Sequence, residues 1–366
     1  MRKMKDSGIE WTGEIPENWE VSKLKYFSLI KSGMFLSNTE YEIDGKYAVF
    51  GGNGINGYSD YKNIDEPSVI IGRVGALCGN IHLVAEPSWI TDNALVVTID
   101  DSMNIKYMYY LLDAYDLNRE ANKSAQPLIT GTQVGNIAIS LNTFDEQSRI
   151  VDYLETKCGK IDTVIKAKEN TNEKLKEYRQ SIIYEAVTKG LDKKVQMKDS
   201  GIEWIGEIPE GWETKKLKYT SKIDKDRLNG STNPELTFNY IDIASVTDTG
   251  IIDETVEMEF RKSPSRASMV VKKGDIIVST VRTYLKAIAY IELSDKYICS
   301  TGFCVISPKD IYSKFMYYIC VSEYFIQAVV SQSVGVSYPA ISSIGISNIE
   351  LPIPKSLSEQ HKIADY

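Results

Sequence analysis

With 366 residues and 43% apolar content, the chain is long enough for two domains that each bury a core, and no window reaches the roughly 20 apolar residues of a membrane span. Five cysteines without a CxxC spacing (Cys78, Cys158, Cys299, Cys304, Cys320), helped only by His82 and His361, argue against a zinc site, and the opening MRKMKDSGIEW lacks an apolar signal core, so a reduced cytoplasmic protein is expected. A net charge of −8 argues mildly against nucleic acid, because phosphate is neutralised by Lys and Arg, but local distribution matters more than the sum.

The chain states one phrase twice. Residues 4–26 read MKDSGIEWTGEIPENWEVSKLKY and residues 197–219 read MKDSGIEWIGEIPEGWETKKLKY, identical at 19 of 23 positions with an offset of 193. The likeness stops after Tyr26 and Tyr219 and returns weakly where EQSRIVDY (146–153) matches EQHKIADY (359–366). A duplicated frame around divergent middles is expected when the frame does one shared job and each middle does its own. Specificity is therefore expected in the middles. Trp11, Trp19, Trp204 and Trp212 stand in the frame and are read as packing rather than as base-stacking residues.

Residues 1–144 read as one mixed domain. A Gly/Asn-rich stretch at 51–57 predicts a turn-rich loop, the runs SVIIG (68–72) and ALVVTI (94–99) predict strands, and 105–117 has helical spacing. The G-x-G-x-x-G at 52–57 is followed by YSDYKNIDEP, a poor helix start, so a dinucleotide site is set aside. A loop that lets backbone approach a ligand, or a structural turn, remains.

From 145 to 195 the character changes to 10 Asp/Glu and 11 Lys/Arg with no proline. Ile150, Leu154, Ile161, Val164, Leu175, Tyr178 and Ile182 recur at about a 3.5-residue step, interrupted by Lys157, Lys168 and Thr171. This predicts a long coiled-coil-like helix, with Gly190 as its terminator and a seam that packs on another helix. Residues 196–355 form the second unit, with strands at 274–280 and 303–306, one helix at 313–331, and LPIP (351–354) as a stop. A second long helix is expected to begin near 356–366, and the chain ends there.

No G-x-x-x-x-G-K-[ST], H-E-x-x-H or G-x-S-x-G occurs, nor the Asn-Pro-Pro-Tyr-type motif of amino-methyltransferases, so the chain is expected to catalyse nothing alone. Basic residues gather at 259–290, with seven Lys/Arg against two acids. Candidate DNA contacts are Arg261, Lys262, Arg266, Arg282, Tyr284, Lys286 and Gln332 there, and Asn53, Asn56, Lys62, Arg73 and Gln126 in the first unit. Arg73 and Arg282 are favoured because each follows a predicted strand.

These features together resemble the specificity subunits of type I restriction-modification systems. The duplicated DSGIEW-GEIPE-W-KLKY, the pairs IIGRVGALCGN with WITDNALVV and GDIIVSTVRTYL with ICSTGFCVISP, and the shared half-ending carry the resemblance across essentially the whole chain. It implies an α+β chain of two target-recognition domains (1–144 and 196–355) joined by a spacer helix (145–195), with the start of a second spacer at 356–366. It also implies double-stranded DNA, modification subunits and restriction subunits as partners, and an isolated chain without cofactor. S-adenosylmethionine, ATP and Mg would belong to the partners. Self-association through Ile150, Leu154, Ile161, Val164, Leu175 and Ile182 is a further expectation. The runner-up reading is a helical adaptor that binds proteins through two globular units; a stand-alone modifying enzyme is disfavoured by the missing motifs.

Overall fold

The computed structural model describes residues 2–121, 127–202, 204–253, 255–292 and 297–366. Two compact units divide the chain, residues 1–167 and 168–366. Among the described residues no helix is long and apolar enough to cross a membrane.

The first unit is built on an antiparallel sheet in the order Ser28–Ser32, Ala94–Ile99, Ser68–Gly72, Ile81–Val84. All five residues of Ser68–Gly72 are buried, which is why that strand is a continuous apolar run rather than an alternating one. A second sheet places Tyr47–Gly51 between Gly54–Ser59 and Trp89–Ile90. The helix Ile105–Tyr115 buries Met108 and Leu112, and the Asn104 side chain caps it by accepting from the Lys106 and Tyr107 N–H groups.

The second unit repeats this plan. Ser221–Ile223, Phe303–Pro308, Ile276–Ser279 and Ile288–Tyr290 make the four-stranded sheet, and Thr237–Ile241 again has one antiparallel and one parallel neighbour, with Ala267–Val271 added at the far side. The frame hairpins keep one register, Met4 opposite Pro16 and Met197 opposite Pro209.

The half-ending explains what the frame does. Trp19 Nε1 donates to Glu146 (3.0 Å) and Trp212 Nε1 to Glu359 (2.9 Å). The following glutamines are buried and hold the core to the helix start. Gln147 Oε1 accepts from Asn104 N–H (2.7 Å) and its amide donates to the Ser102 and Asn142 carbonyls, while Gln360 Oε1 accepts from Tyr312 N–H (2.8 Å) and its amide donates to the Pro354 carbonyl. Each of these glutamines satisfies buried backbone groups that would otherwise cost about 1–3 kcal/mol apiece. The tryptophans are less uniform than expected: Trp212 is buried and Trp11 meets Tyr115 edge-on at 5.0 Å, but Trp204 is 51% exposed.

The long helix runs over Phe144–Lys189, 46 residues, about 70 Å at 1.5 Å per residue. Gly190, at φ 72°, ends it in the left-handed conformation with its N–H on the Ala186 carbonyl. Its first turns bury Gln147 and Val151 in the first unit, and its last turns bury Ile183, Ala186 and Val187 in the second. The expected seam is therefore divided. Ile150, Leu154 and Ile182 are half-buried near the ends, whereas Ile161, Val164 and Leu175 are 58%, 54% and 58% exposed.

Three local expectations are corrected. The stretch at 51–57 is not an open loop, since Gly54–Ser59 pairs with Tyr47–Gly51 as a hairpin. The single helix expected at 313–331 is two, Ser313–Val321 and Glu323–Ser331, broken where Ser322 turns extended (ψ 147°) and its hydroxyl bonds the Ile319 carbonyl. The LPIP stop is a strand, Glu350–Pro354, paired with Trp212–Lys216. Its prolines are tolerated because the sheet has only two strands, leaving one side of each without a partner to donate to.

Candidate nucleic-acid interface

Hydrogen-bond register aligns the two units residue by residue. In the first, Arg73 N–H donates to the Asn93 carbonyl (2.9 Å) and Ile129 N–H to the Arg73 carbonyl (3.0 Å). In the second, the same bonds are Thr280 N–H to Gly302 (2.8 Å) and Ile341 N–H to Thr280 (2.8 Å). Arg73 thus stands where Thr280 stands. Two residues on, Gly75 N–H donates to the Pro127 carbonyl and Arg282 N–H to the Pro339 carbonyl, so Arg282 is the counterpart of Gly75. The expectation of a shared strand-then-Arg position is corrected: the two arginines are offset by two residues.

Arg282 sits at φ 50°, as Gly75 sits at φ 84°. The left-handed conformation costs a non-glycine residue about 1–2 kcal/mol, and the first unit avoids the cost with glycine. Arg282 nevertheless presents its guanidinium 5.2 Å from the centre of the Tyr338 ring. The turn that follows, Thr283–Leu285, exposes Tyr284, and Thr283 bonds Ser333 (3.0 Å) to tie the turn to the segment 333–340, where Val336 and Tyr338 are exposed. Gln332 is exposed directly before that segment, and Lys286, also left-handed at φ 53°, reaches Glu323 at 3.4 Å. Arg282 is thereby brought beside Tyr338, with Tyr284 on the adjoining turn, whereas Lys286 turns to Glu323 and Gln332 lines a separate hollow with Trp204 and Lys216. Sequence reading missed Tyr338 because 56 positions separate it from Arg282 and no motif marks it.

The rest of the basic run is less free than its count suggested. Arg261 and Lys262 both pair with Glu259 (2.7 and 3.2 Å), Arg266 with Asp242 (2.7 Å) and Lys272 with Asp226 (2.6 Å). Arg261 and Lys262 lie on a turn after the edge strand Val256–Glu259 of the other sheet, and Arg266 connects toward Thr280 through the Thr301 N–H on its carbonyl. Exposed pairs of this kind contribute at most about 1 kcal/mol, so phosphate could displace the carboxylates.

In the first unit Asn53 is exposed at the hairpin turn and accepts from Asn80 (2.7 Å), and Asn56 is exposed over Gly51, where a Cβ would lie 2.1 Å from its amide nitrogen. The Gly52 backbone presses on Gly72, leaving no room for a Cβ there and holding the hairpin beside the strand that precedes Arg73. Arg73 donates to Ser32 Oγ (3.1 Å) within an open cleft of 550 Å³ that Lys25, Thr130, Thr132 and Asn136 also line. Lys62 is paired with Asp65 and lies 5.4 Å from the Tyr47 ring centre, away from that cleft's lining residues. Gln126 lies outside the described residues. Burial pushes the Cys304 thiol up to about 12 and raises Cys299 and Cys320 as well, so these thiols stay protonated and have no nucleophilic character.

The family described as "Type I restriction modification DNA specificity domain" matches residues 16–177 and, a second time, residues 209–366. The chain belongs to this family. Its two specificity domains account for the repeated plan of the two units, and each match includes one copy of the EQ half-ending. The Type I restriction enzyme EcoprrI specificity subunit of Escherichia coli is 34% identical over 125 residues, which is 33% of this chain and 31% of that relative, so the likeness spans under a third of its length. The Type I restriction enzyme MjaVIII specificity subunit of Methanocaldococcus jannaschii is 25% identical over 390 residues, covering 96% of this chain and 85% of the relative. A solved structure described as the "Structural basis underlying complex assembly and conformational transition of the type I R-M system" shares the fold, with a TM-score of 0.68 at 16% identity over 96% of this chain and 90% of that one.

Proposed function

We propose that this specificity-family chain is the non-catalytic DNA-recognition subunit of a type I restriction-modification complex, each unit reading one half-site of double-stranded DNA. The observation that carries the reading is the double match to a DNA specificity domain, with the divergent middles inside each match. Modification subunits would methylate adenine with S-adenosylmethionine, and restriction subunits would supply ATP- and Mg-dependent translocation and cleavage, in the cytoplasm where the DNA is. Residues 1–144 and 196–355 would be the readers, 145–195 the spacer, and 356–366 the start of a second spacer. The adaptor alternative draws on the exposed helix, which docking of partner subunits explains equally. Replacing the middle between Tyr26 and Glu146 by that of a relative tests the reading: one half-site of the methylated sequence should change and the other should stay. A change in both would overturn it.

Arg282 is the reader residue the geometry favours, because a left-handed backbone is retained there at a cost and aims a guanidinium beside an exposed tyrosine. Arg282→Ala is expected to cost about 1–3 kcal/mol and to relax one base position of the second half-site, as loss of a bidentate base contact does. Arg73→Ala should act on the first half-site alone. Sequencing of methylated adenines after expression of each variant reads the outcome, and unchanged affinity and preference in both variants would remove the two residues from the interface. Asn53, Asn56, Lys62, Gln126, Arg261, Lys262, Arg266, Tyr284, Lys286 and Gln332 are proposed as supporting contacts.

The exposed middle of the long helix is proposed as an interface for another chain, a modification subunit or a second copy of this one. Burial of the Ile161, Val164 and Leu175 side chains would drive it.

A further inference from the structure

Buried identities in the repeated frame are explained by packing; exposed identities are not. Several surface positions of the frame are identical in both copies, as Lys5 and Lys198 or Glu17 and Glu210 are, while Asn18 and Gly211 differ, so identity alone singles out no contact. Lys25 and Tyr26, repeated as Lys218 and Tyr219 with the tyrosines 66% and 71% exposed, stand out by what their side chains do. Their geometry is repeated too. Lys25 Nζ donates to Asn136 Oδ1 at 3.0 Å and lies 5.5 Å from the Tyr26 ring centre; Lys218 Nζ donates to Asn348 Oδ1 at 2.8 Å and lies 5.4 Å from the Tyr219 ring centre. The asparagines come from the far end of each divergent middle, where each is the C-cap of a short helix.

The chemistry of this pair suits an anion. An amide carbonyl accepts a hydrogen bond from the Lys Nζ and brings no charge of its own, so each side chain is oriented without a carboxylate partner at that bond. In the first unit the surrounding cleft is lined by Lys25, Arg73 and several hydroxyl side chains, and no carboxylate is among its described lining residues, although the chain as a whole carries −8.

We infer that Lys25 and Lys218, each held by its asparagine over its tyrosine, are equivalent clamps on the phosphodiester backbone of the duplex, one per half-site and blind to base sequence. Two units that read different bases still meet the same backbone. A backbone contact is therefore what should remain identical while the reading surfaces diverge. The inference rests on the reading that both units bind DNA, and it assigns to the frame a ligand contact besides its packing.

The test uses the complex of this chain with its modification subunits, titrated with a duplex carrying the site and with a scrambled duplex, between 50 and 200 mM salt. Lys25→Ala and Lys218→Ala should each lower the slope of log affinity against log salt by about 0.9, and the double variant by about twice that. Each phosphate contact accounts for about a threefold change in affinity over this salt range. Losses should be equal on both duplexes, the methylated sequence should be unchanged, and Lys25→Arg with Lys218→Arg should restore the slope. An unchanged slope in an intact complex would overturn the inference, as would a changed methylation sequence, which would make the lysines base readers. Loss of modification subunits with an unchanged slope would make the surface a protein interface and overturn it as well. Failure of the underlying reading looks different: the unsubstituted complex would itself show neither salt dependence nor preference for the site.

Discussion

Trp212→Ala is expected to lower the stability of the second unit by about 3–5 kcal/mol, as removal of a large buried aromatic does. The indole is 2% exposed, lies edge-on to Phe315 at 6.4 Å, donates to Glu359, and sits so close to Gly190 that a Cβ there would be 3.3 Å from its Cζ2. The substitution therefore opens a cavity where the long helix ends and the last helix begins, and it leaves the half-buried Glu359 carboxylate without that donor. Trp204→Ala, eight residues earlier in the same repeated phrase, should cost less than about 1 kcal/mol, because half of that side chain is already in water. Urea unfolding followed by near-ultraviolet circular dichroism compares the two. Equal losses would mean that the repeated tryptophans do one common job, contrary to their unequal burial.

Leu175→Asp combined with Ile161→Asp should have the opposite signature. Both side chains are 58% exposed, so the two changes together should cost the isolated chain no more than about 1 kcal/mol. Binding of another chain along the helix should suffer, since burying each side chain contributes about 1.5–3 kcal/mol and each 1.4 kcal/mol is tenfold in affinity. A loss of at least about a hundredfold for the pair is expected, read by sedimentation of the chain alone and by recovery of the modification subunit. If the chain is strictly monomeric and the doubly substituted form recruits that subunit undiminished, the seam is no interface. Ile183→Asp, buried in the second unit, should instead destabilise the chain itself.

Legibility in the sequence followed the range of the interactions. The strands at 68–72 and 94–99 were readable because the first is buried throughout and the second buries Ala94, Leu95 and Val97, and both are rich in β-branched residues. The long helix was readable from its charge, its period and the absence of proline, and its terminator from the glycine at 190, where the apolar period ends. The break at Ser322 was not, because one serine, although it favours caps and turns, is tolerated within a helix whose apolar residues continue on both sides. Strand Glu350–Pro354 was hidden by prolines, which a ladder tolerates where, as here, the strand lies at an edge. At the candidate interface, the arginines could be picked out by type, but their register depends on bonds to Asn93, Pro127, Gly302 and Pro339, which only the folded chain reveals. The neutralised part of the basic run was hidden for the same reason, since Arg266 and Lys272 find Asp242 and Asp226 at separations of 24 and 46 residues.

The bonds from Trp19 to Glu146 and from Trp212 to Glu359 join positions 127 and 147 residues apart. Each middle therefore leaves and rejoins the scaffold through one fixed doorway, as a cassette would. The offset between the repeats grows from 193 at the frame to 213 at the half-ending, so the second cassette is 20 residues longer than the first. Chain-closure entropy changes only logarithmically with length, about 0.6 kcal/mol for a doubling, so that difference is nearly free. A doorway of this kind lets inserts of unequal size be exchanged without moving the helix that starts at its threshold.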